Sequence, residues 1–257
     1  MERSCGHCCV KIEGLDVTIN GNSILKNVHL HTDCKEILSI VGPNGAGKTT
    51  LLKTLLNDIP YSGRIDFQIK GLKNKRPKIG YVPQKLSFNF GIPISVQDLI
   101  AASLTRSPVW CSIARDLRKK IKATLEKFSV AHLLDRMIGS LSGGELQKTL
   151  LAMAMIPVPD LLLLDEPVSA VDVKGLSLFY ETVMQLKKEH DIAIIMVTHD
   201  LAGVAPYADR MILLNRSVIA EGTPRQILSD QKLIETFQLD LLNVSRLSFP
   251  IKGGNHA

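Results

Sequence analysis

The sequence has 257 residues, 45% of them hydrophobic, and carries a formal net charge of +6 at pH 7. A chain of this length can bury one large α/β core, and its longest apolar runs fall well short of the ~20 residues that a membrane-spanning helix needs. The first residues have no apolar core of signal-peptide length. With five cysteines in such a chain, a reducing cytosol is favoured over a disulfide framework.

Two compositional features leave alternatives open. Basic clusters at 70–78 and 115–122 would suit nucleic acid or an anionic membrane surface, but solvated faces explain such short clusters more simply. Residues 1–9 contain Cys5-Gly6-His7-Cys8-Cys9, which has the spacing of a redox pair or half of a metal site. No second cysteine pair follows in the sequence, so this segment is interpreted as a dispensable tail.

The strongest motif begins after an apolar run at 37–41, which predicts a buried strand. The pattern G-x-x-x-x-G-K-[ST] follows, and apolar residues at helical spacing come next. Glycines in such a loop aim backbone N–H groups inward at a helix N-terminus, which makes an anion-binding nest. The lysine can reach the β- and γ-phosphates, and the threonine hydroxyl after it can ligate Mg²⁺. We therefore predict nucleoside triphosphate binding by Gly42, Pro43, Asn44, Gly45, Ala46, Gly47, Lys48, Thr49 and Thr50.

Around this motif, strand and helix signals alternate along the chain. Alternating apolar residues predict two strands joined by a turn at Asn20-Gly21-Asn22. His29 and His31 share one face of the second of these strands, where two histidines are more often structural than metal ligands. Further strands are predicted at 63–70, 79–82, 160–165, 192–197, 210–214 and 217–220, and helices at 94–104, 113–128, 140–156 and 173–190. This alternation predicts an α/β sheet wrapped by helices.

Several polar side chains come directly after predicted buried strands. Asp165 and Glu166 end the run LLLLDE, where Asp165 can hold Mg²⁺ and Glu166 can polarise an attacking water. Gln84 and His199 also follow apolar strands, the position at which open α/β sheets contact their ligands. These four residues and Lys48 are the predicted catalytic and metal-binding group.

The motifs occur in the order typical of ABC-transporter ATP-binding subunits, which this chain resembles over about residues 10–228. The resemblance is carried by the phosphate loop, Gln84 after YVP, LSGGE, LLLLDEP, SAVD and THD. It implies a phosphate-loop ATPase core with an antiparallel β-part and an inserted helical subdomain at about 85–157. Residues 229–257 would then form a C-terminal extension.

The resemblance also implies roles for particular residues. Two subunits are expected to close head to tail as a homodimer, each phosphate loop facing the partner's Ser142, Gly143, Gly144 and Glu145. Gln84 would contact Mg²⁺ and the attacking water, His199 the γ-phosphate, and Asp172 the dimer seam. An aromatic residue usually stacks on adenine near the end of the first strand, but Ile19 stands there, and the sequence has no Phe, Trp or Tyr before Tyr61.

A closer likeness to the zinc/manganese importer branch is carried by GYVPQKL, LSGGE, VDVKG and AEGTP. It implies a peripheral ATPase at the cytoplasmic face of the inner membrane, working with an integral-membrane permease and, indirectly, a periplasmic or extracellular metal-binding protein, without nucleic acid. The permease is expected to dock on the helical insert, because apolar residues are concentrated there at Phe88, Phe90, Ile92, Ile94, Val96, Val109 and Trp110. The alternative is that most of these residues fill the insert's own core. Rival interpretations are a subunit for another substrate, a soluble ABC ATPase of repair or translation, and a regulatory module that holds ATP without turnover.

Overall fold

The computed structural model describes residues 9–68, 77–84, 93–105, 113–167 and 173–230. Within them the strands are β1 Cys9–Ile19, β2 Asn22–Thr32, β3 Ile37–Val41, β4 Ser62–Gln68, β5 Ile79–Val82, β6 Leu161–Asp165, β7 Ala193–Thr198, β8 Arg210–Asn215 and β9 Ser217–Gly222. The helices are α1 Lys48–Leu56, α2 Val96–Leu104, α3 Arg115–Lys127, α4 Gly143–Ala154, α5 Val173–Glu189, α6 Leu201–Val204 and α7 Pro224–Ser229. Each predicted strand and helix within these ranges is confirmed to within a few residues. The cysteines at positions 5 and 8 and Asp172 lie outside them.

The central sheet has the strand order β5-β6-β7-β3-β8-β9, with β9 antiparallel at the edge and the other neighbours parallel. β3, β6 and β7 are buried along their whole length. That burial explains their unbroken apolar sequences, because a parallel strand covered on both faces has no polar side. The carboxyl ends of five parallel strands thus meet along one edge, with the phosphate loop leaving from β3.

A second, antiparallel sheet has the order β2-β1-β4. β1 and β2 form the predicted hairpin, and Asn20 and Gly21 at its turn both have positive φ angles, 50° and 78°. Two residues with positive φ are what a type I′ turn requires, and Asn-Gly is the dipeptide that adopts it most readily.

Two hydrophobic clusters cover the two faces of the central sheet. Leu162 and Leu164 of β6 belong to the cluster that also contains apolar residues of α2, α3, α4 and α5. Leu161 and Leu163 belong to the other cluster, with apolar residues of β1, β2 and α1. The alternation follows from the two-residue period of a strand.

Helices α2, α3 and α4 lie within the predicted helical insert. Val96, one of the residues expected on a docking surface, is fully buried and packs in the core, so that expectation is wrong for Val96. Phe88, Phe90, Ile92, Val109 and Trp110 lie outside the described residues. No helix in the described part of the chain has the length and apolar character needed to cross a bilayer.

Candidate functional site

The phosphate loop connects β3 to α1 and depends on its glycines. Gly47 is the residue before α1 and has a φ of 94°, which L side chains rarely adopt. A Cβ atom on Gly42 would lie 2.1 Å from the carbonyl oxygen of Leu214, so any larger residue there would displace backbone. The backbone therefore approaches its neighbours too closely for side chains and leaves its N–H groups accessible along the loop.

Lys48 folds back over this loop. Its Nζ donates hydrogen bonds to the carbonyl oxygens of Gly42, at 2.8 Å, and Pro43, at 3.0 Å. The residue is only 6% exposed, and burial lowers the pKa of its ammonium group, an effect opposed by the charges of Glu166 and Asp165. The cation is thus held at the loop by neutral oxygens, with the Glu166 carboxylate 3.9 Å away.

One cavity of about 360 Å³ joins the loop to the acid end of β6. The described residues that line it are Ile24, Asn44, Gly45, Ala46, Gly47, Lys48, Thr49, Thr50, Gln84 and Glu166. The structure therefore brings together most of the predicted phosphate-binding residues and three of the predicted catalytic ones, Lys48, Gln84 and Glu166. The lining residues come from β2, the loop before α1, the first turn of α1, and the segments that follow β5 and β6.

Asp165 is the last residue of β6 and is almost completely buried. Thr49 Oγ1 donates to its Oδ1 at 3.0 Å, and the Tyr81 hydroxyl donates to its Oδ2 at 3.3 Å. Burial raises the pKa of this carboxyl, and the two hydrogen bonds oppose the rise. The contact with Thr49 spans the sheet, since β7 lies between β3 and β6.

Glu166 is the centre of the second set of contacts. Gln84 Nε2 donates to its Oε2 at 2.7 Å, and His199 Nδ1 lies 3.3 Å from the same oxygen. Its φ is +43°, an uncommon conformation for a residue with a side chain and one that clusters at functional sites. A carboxylate next to a phosphate-binding cavity, held by an amide and an imidazole, is suited to accept a proton from water.

The donor set beside the loop fits Mg²⁺. This ion prefers oxygen ligands and is usually held by one or two protein groups together with substrate phosphates. The Thr49 hydroxyl, which lines the cavity, lies 3.0 Å from Asp165 Oδ1, and Gln84 lines the same cavity. These three residues are the predicted metal ligands, and their role in holding Mg²⁺ stays a prediction.

The LSGGE motif forms the start of α4. The Ser142 hydroxyl accepts a hydrogen bond from the Glu145 N–H, and Glu145 Oε2 accepts one from the Ser142 N–H at 2.8 Å, so the predicted capping box is confirmed. These hydrogen bonds hold the pKa of Glu145 below its usual range. Arg136 contacts the other carboxylate oxygen at 3.4 Å. A Cβ on Gly144 would meet nothing within 4 Å, so this helix start is open to an incoming anion.

Three residues of the site escaped the sequence analysis. Ile24 lines the cavity, whereas Ile19 is 40% exposed at the end of β1 and is not among the described residues lining it. Tyr81 contacts Asp165, and Arg136 contacts Glu145. Tyr81 could have been indicated by its position in β5, because it pairs with Leu163 of β6, two residues before Asp165. Ile24 and Arg136 become recognisable only once the hairpin and α4 are folded.

Fold and site together define a phosphate-loop ATPase. A protein-family model described as ABC transporter matches residues 25–169. The zinc import ATP-binding protein ZnuC of Pseudomonas aeruginosa is 35% identical over 232 residues, 90% of this chain and 80% of that protein. The ZnuC of Marinobacter nauticus is 39% identical over 230 residues, 89% and 82% of the two chains. The chain therefore belongs to the family of ABC-transporter ATP-binding subunits, which hydrolyse ATP.

Solved structures agree with this assignment. CbiO1 of Clostridium perfringens, part of the ABC transporter complex CbiONQ, has a TM-score of 0.73 at 27% identity and covers 93% of this chain and 97% of its own. An ATP-binding cassette of an ABC transporter in its ADP conformation has a TM-score of 0.78 over 91% of this chain and 99% of its own, which at 24% identity shows the shared fold.

Proposed function

We propose that this protein is the ATP-hydrolysing subunit of an importer for zinc or a similar divalent ion, and that it powers a separate membrane permease. The observation that carries the proposal is a cavity lined by Lys48, Gln84 and Glu166, with Asp165 and His199 in contact with its lining residues, in a chain that is 35–39% identical to zinc import ATP-binding proteins over about 90% of its length. In the proposed importer, the transported ion does not contact the ATPase subunit. The ion is cargo of the permease.

In the proposed reaction the loop N–H groups and Lys48 hold the β- and γ-phosphates of ATP. Glu166 accepts a proton from the attacking water, and Gln84 and His199 fix the orientation of its carboxylate. Thr49, Asp165 and Gln84 would hold Mg²⁺, which would neutralise negative charge on the phosphates of ATP. The presence of Lys48, Asp165, Glu166 and His199 argues against a module that binds ATP without turnover.

The proposal includes a homodimer. Ser142, which precedes α4, is exposed, and the half-buried Gly143 and Gly144 would offer their N–H groups, with the positive end of the helix dipole, to an anion. Head-to-tail pairing would bring this helix start of one subunit onto the γ-phosphate held by the other. ATP would then close the dimer and hydrolysis would open it. Asp172, the residue assigned to the dimer seam, remains a prediction from the resemblance.

The proposed location is the cytoplasmic face of the inner membrane, through the permease, with a periplasmic or extracellular metal-binding protein delivering the ion. Ile94, which is half-buried, and Phe88, Phe90, Ile92, Val109 and Trp110 remain the predicted permease contacts. An ABC subunit for another substrate is the second interpretation, because CbiO1 of the CbiONQ complex shares the fold. A soluble ATPase of repair or translation predicts ATPase stimulation by nucleic acid, which the proposed function does not.

The test is complementation in cells from which the gene has been deleted. We expect deletion to reduce growth and ⁶⁵Zn uptake at limiting zinc, and the parent chain to restore both. Glu166→Gln should restore neither, whereas Lys26→Gln, at an exposed position on β2 outside the described lining of the cavity, should restore both. Normal zinc uptake in the deletion strain would contradict zinc import. A parallel measurement with ⁵⁴Mn then tests manganese as the cargo.

A further inference from the structure

Two residues at the end of β5 each hold one of the two acids that end β6. Gln84 donates to Glu166 at 2.7 Å, a contact that the proposed reaction already uses. Tyr81 donates to Asp165 at 3.3 Å, and the proposed reaction gives this hydroxyl no role. β5 and β6 are parallel neighbours with Tyr81 opposite Leu163, so the tyrosine ring extends along the sheet toward the acid two residues further on.

The plane of the Asp165 carboxylate needs more than one contact to be fixed. The terminal torsion of an aspartate is soft, so a single hydrogen bond leaves the carboxylate free to turn. Thr49 holds Oδ1 and Tyr81 holds Oδ2, one donor for each oxygen. Both donors are neutral hydroxyls, so neither cancels the negative charge of the Asp165 carboxylate, which would attract a cation.

We propose that Tyr81 is a positioning residue, whose hydroxyl fixes the plane of the Asp165 carboxylate so that Oδ1 stays beside Thr49 and the Mg²⁺ site. Tyr81 acts through Asp165 and does not touch the nucleotide. The inference rests on the Mg²⁺ site of the proposed function. In this proposal, β5 and the residues that follow it contact both acids. Tyr81 contacts Asp165 beside the metal site, and Gln84 contacts Glu166, which activates the attacking water.

Tyr81→Phe isolates this role, because phenylalanine keeps the ring that packs against the neighbouring hydrophobic cluster and removes only the hydroxyl. Tyr61→Phe is the matched control, since Tyr61 is an exposed tyrosine beyond the end of α1. Thermal unfolding of all three proteins establishes that each is folded. Binding of a fluorescent ATP analogue is then titrated with MgCl₂ in a buffer from which free metal has been removed.

We expect Tyr81→Phe to raise the Mg²⁺ concentration at half-maximal nucleotide binding by about three- to tenfold, the effect of losing one hydrogen bond of ordinary strength, because the 3.3 Å contact is a long one. Binding in excess EDTA should equal that of the parent, and Tyr61→Phe should match the parent in both conditions. A midpoint within twofold of the parent, or an equal loss in EDTA, would overturn the role of Tyr81. Nucleotide binding by the parent that does not depend on Mg²⁺ would instead overturn the metal site on which the inference rests.

A double-mutant cycle separates positioning from general packing. In an Asp165→Asn background the carboxylate is gone, so adding Tyr81→Phe should leave the Mg²⁺ midpoint unchanged. If the two substitutions shift the midpoint additively, Tyr81 acts by another route and the proposal is wrong. The cycle needs no hydrolysis, because the readout is binding.

Discussion

The central sheet carries a cluster of charged side chains at each end, and the two clusters are built differently. At the carboxyl end, Asp165 accepts hydrogen bonds from two hydroxyls, and Glu166 contacts an amide and an imidazole. The Lys48 ammonium donates its hydrogen bonds to backbone carbonyls and lies 3.9 Å from Glu166 Oε1. At the amino end, the acids are paired directly with cations.

The amino-end cluster centres on Arg210, the first residue of β8. Its Nε donates to Glu36 Oε1 at 2.8 Å, and its other nitrogens contact Glu221 and the carbonyl oxygen of His31. Beside it, Lys187 donates to Asp209 Oδ1 at 2.6 Å, and Asp209 Oδ2 accepts from the Ile37 N–H at 2.7 Å. This network ties the antiparallel sheet to the central one through β2, β8 and β9.

The difference separates stability from function. An acid paired with a guanidinium has little capacity left for another cation, so the amino end holds the two sheets together. At the carboxyl end, the negative charges stay available, on Asp165 for Mg²⁺ and on Glu166 for a proton. Burying such charges costs desolvation free energy. Substitutions at the two ends should therefore have opposite profiles, with activity lost at one and folding free energy lost at the other.

The largest expected effect is on hydrolysis. Glu166→Gln keeps the shape of the side chain and removes the carboxylate, so ATP hydrolysis should fall by ~10²–10⁴-fold, the typical contribution of a general base. Its thermal unfolding should stay close to the parent's, and ATP should trap a dimer of doubled mass on sizing chromatography. Hydrolysis within about threefold of the parent's would exclude Glu166 as the base.

The next largest effect is on stability. Arg210→Met removes the cation of the amino-end network and leaves Glu36 without its guanidinium, which should lower the free energy of unfolding by about 3 kcal/mol. ATP turnover by the folded fraction should be unchanged. Arg118→Met is the control, because Arg118 and Asp135 form an exposed pair whose loss should cost under about 1 kcal/mol. Urea denaturation measures both, and equal losses would contradict the distinction between the two ends.

The same comparison predicts opposite responses to pH. Burial alone would raise the pKa of Glu36, but hydrogen bonds from Arg210 and the Asp33 N–H outweigh it and lower the pKa. Its stabilising contribution is therefore complete above the unfolded pKa of ~4.3 and is lost as pH falls through the lower, folded value. Asp165 has a raised pKa, so its ionised form costs stability at neutral pH, and the cost disappears as pH falls through that raised value.

Asp165→Asn should accordingly unfold at a higher urea concentration than the parent at pH 7, with an advantage that shrinks on acidification. Glu36→Gln should unfold at a lower concentration, with a deficit that also shrinks once the parent's own Glu36 becomes protonated. Denaturation midpoints of the three proteins from pH 7 to well below the unfolded glutamate pKa of ~4.3 measure both trends. A less stable Asp165→Asn at pH 7 would show that the neutral donors fully compensate the buried charge.

Contacts between residues that are close in the sequence were predicted, and contacts between distant residues were harder to predict. The capping box of Ser142 and Glu145 was predicted because its partners lie three residues apart, and the buried strands were predicted because their apolar sequence is continuous. The partners of the acids lie far away in the chain, Thr49 for Asp165 and Gln84 for Glu166. Their grouping was predicted from their positions after buried strands and from the resemblance to a family, but the individual contacts were not predicted. Nothing local in Glu36 or Arg210 indicates their pairing across 174 positions.

The smallest expected effect concerns adenine, and it tests whether the carboxyl end binds ATP mainly by charge. Among the described residues lining the cavity, the loop residues and Lys48 are the predicted phosphate contacts, and Ile24 is the large apolar residue. Without a ring to stack on the base, ATP should be preferred over GTP by less than about tenfold, because stacking on an aromatic side chain is worth ~1–3 kcal/mol per base.

Ile19→Tyr places a ring at the end of β1, where the family usually has one, and should tighten ATP binding by about 1 kcal/mol, the low end of that range, because this position is partly exposed. Ile24→Tyr is the comparison variant, since Ile24 lines the cavity. Competition of ATP and GTP against a fluorescent nucleotide measures all three proteins. A tightening by Ile24→Tyr alone would move the adenine contact from β1 to β2. A strong ATP preference in the parent, unchanged by Ile19→Tyr, would mean that base recognition does not pass through Ile19.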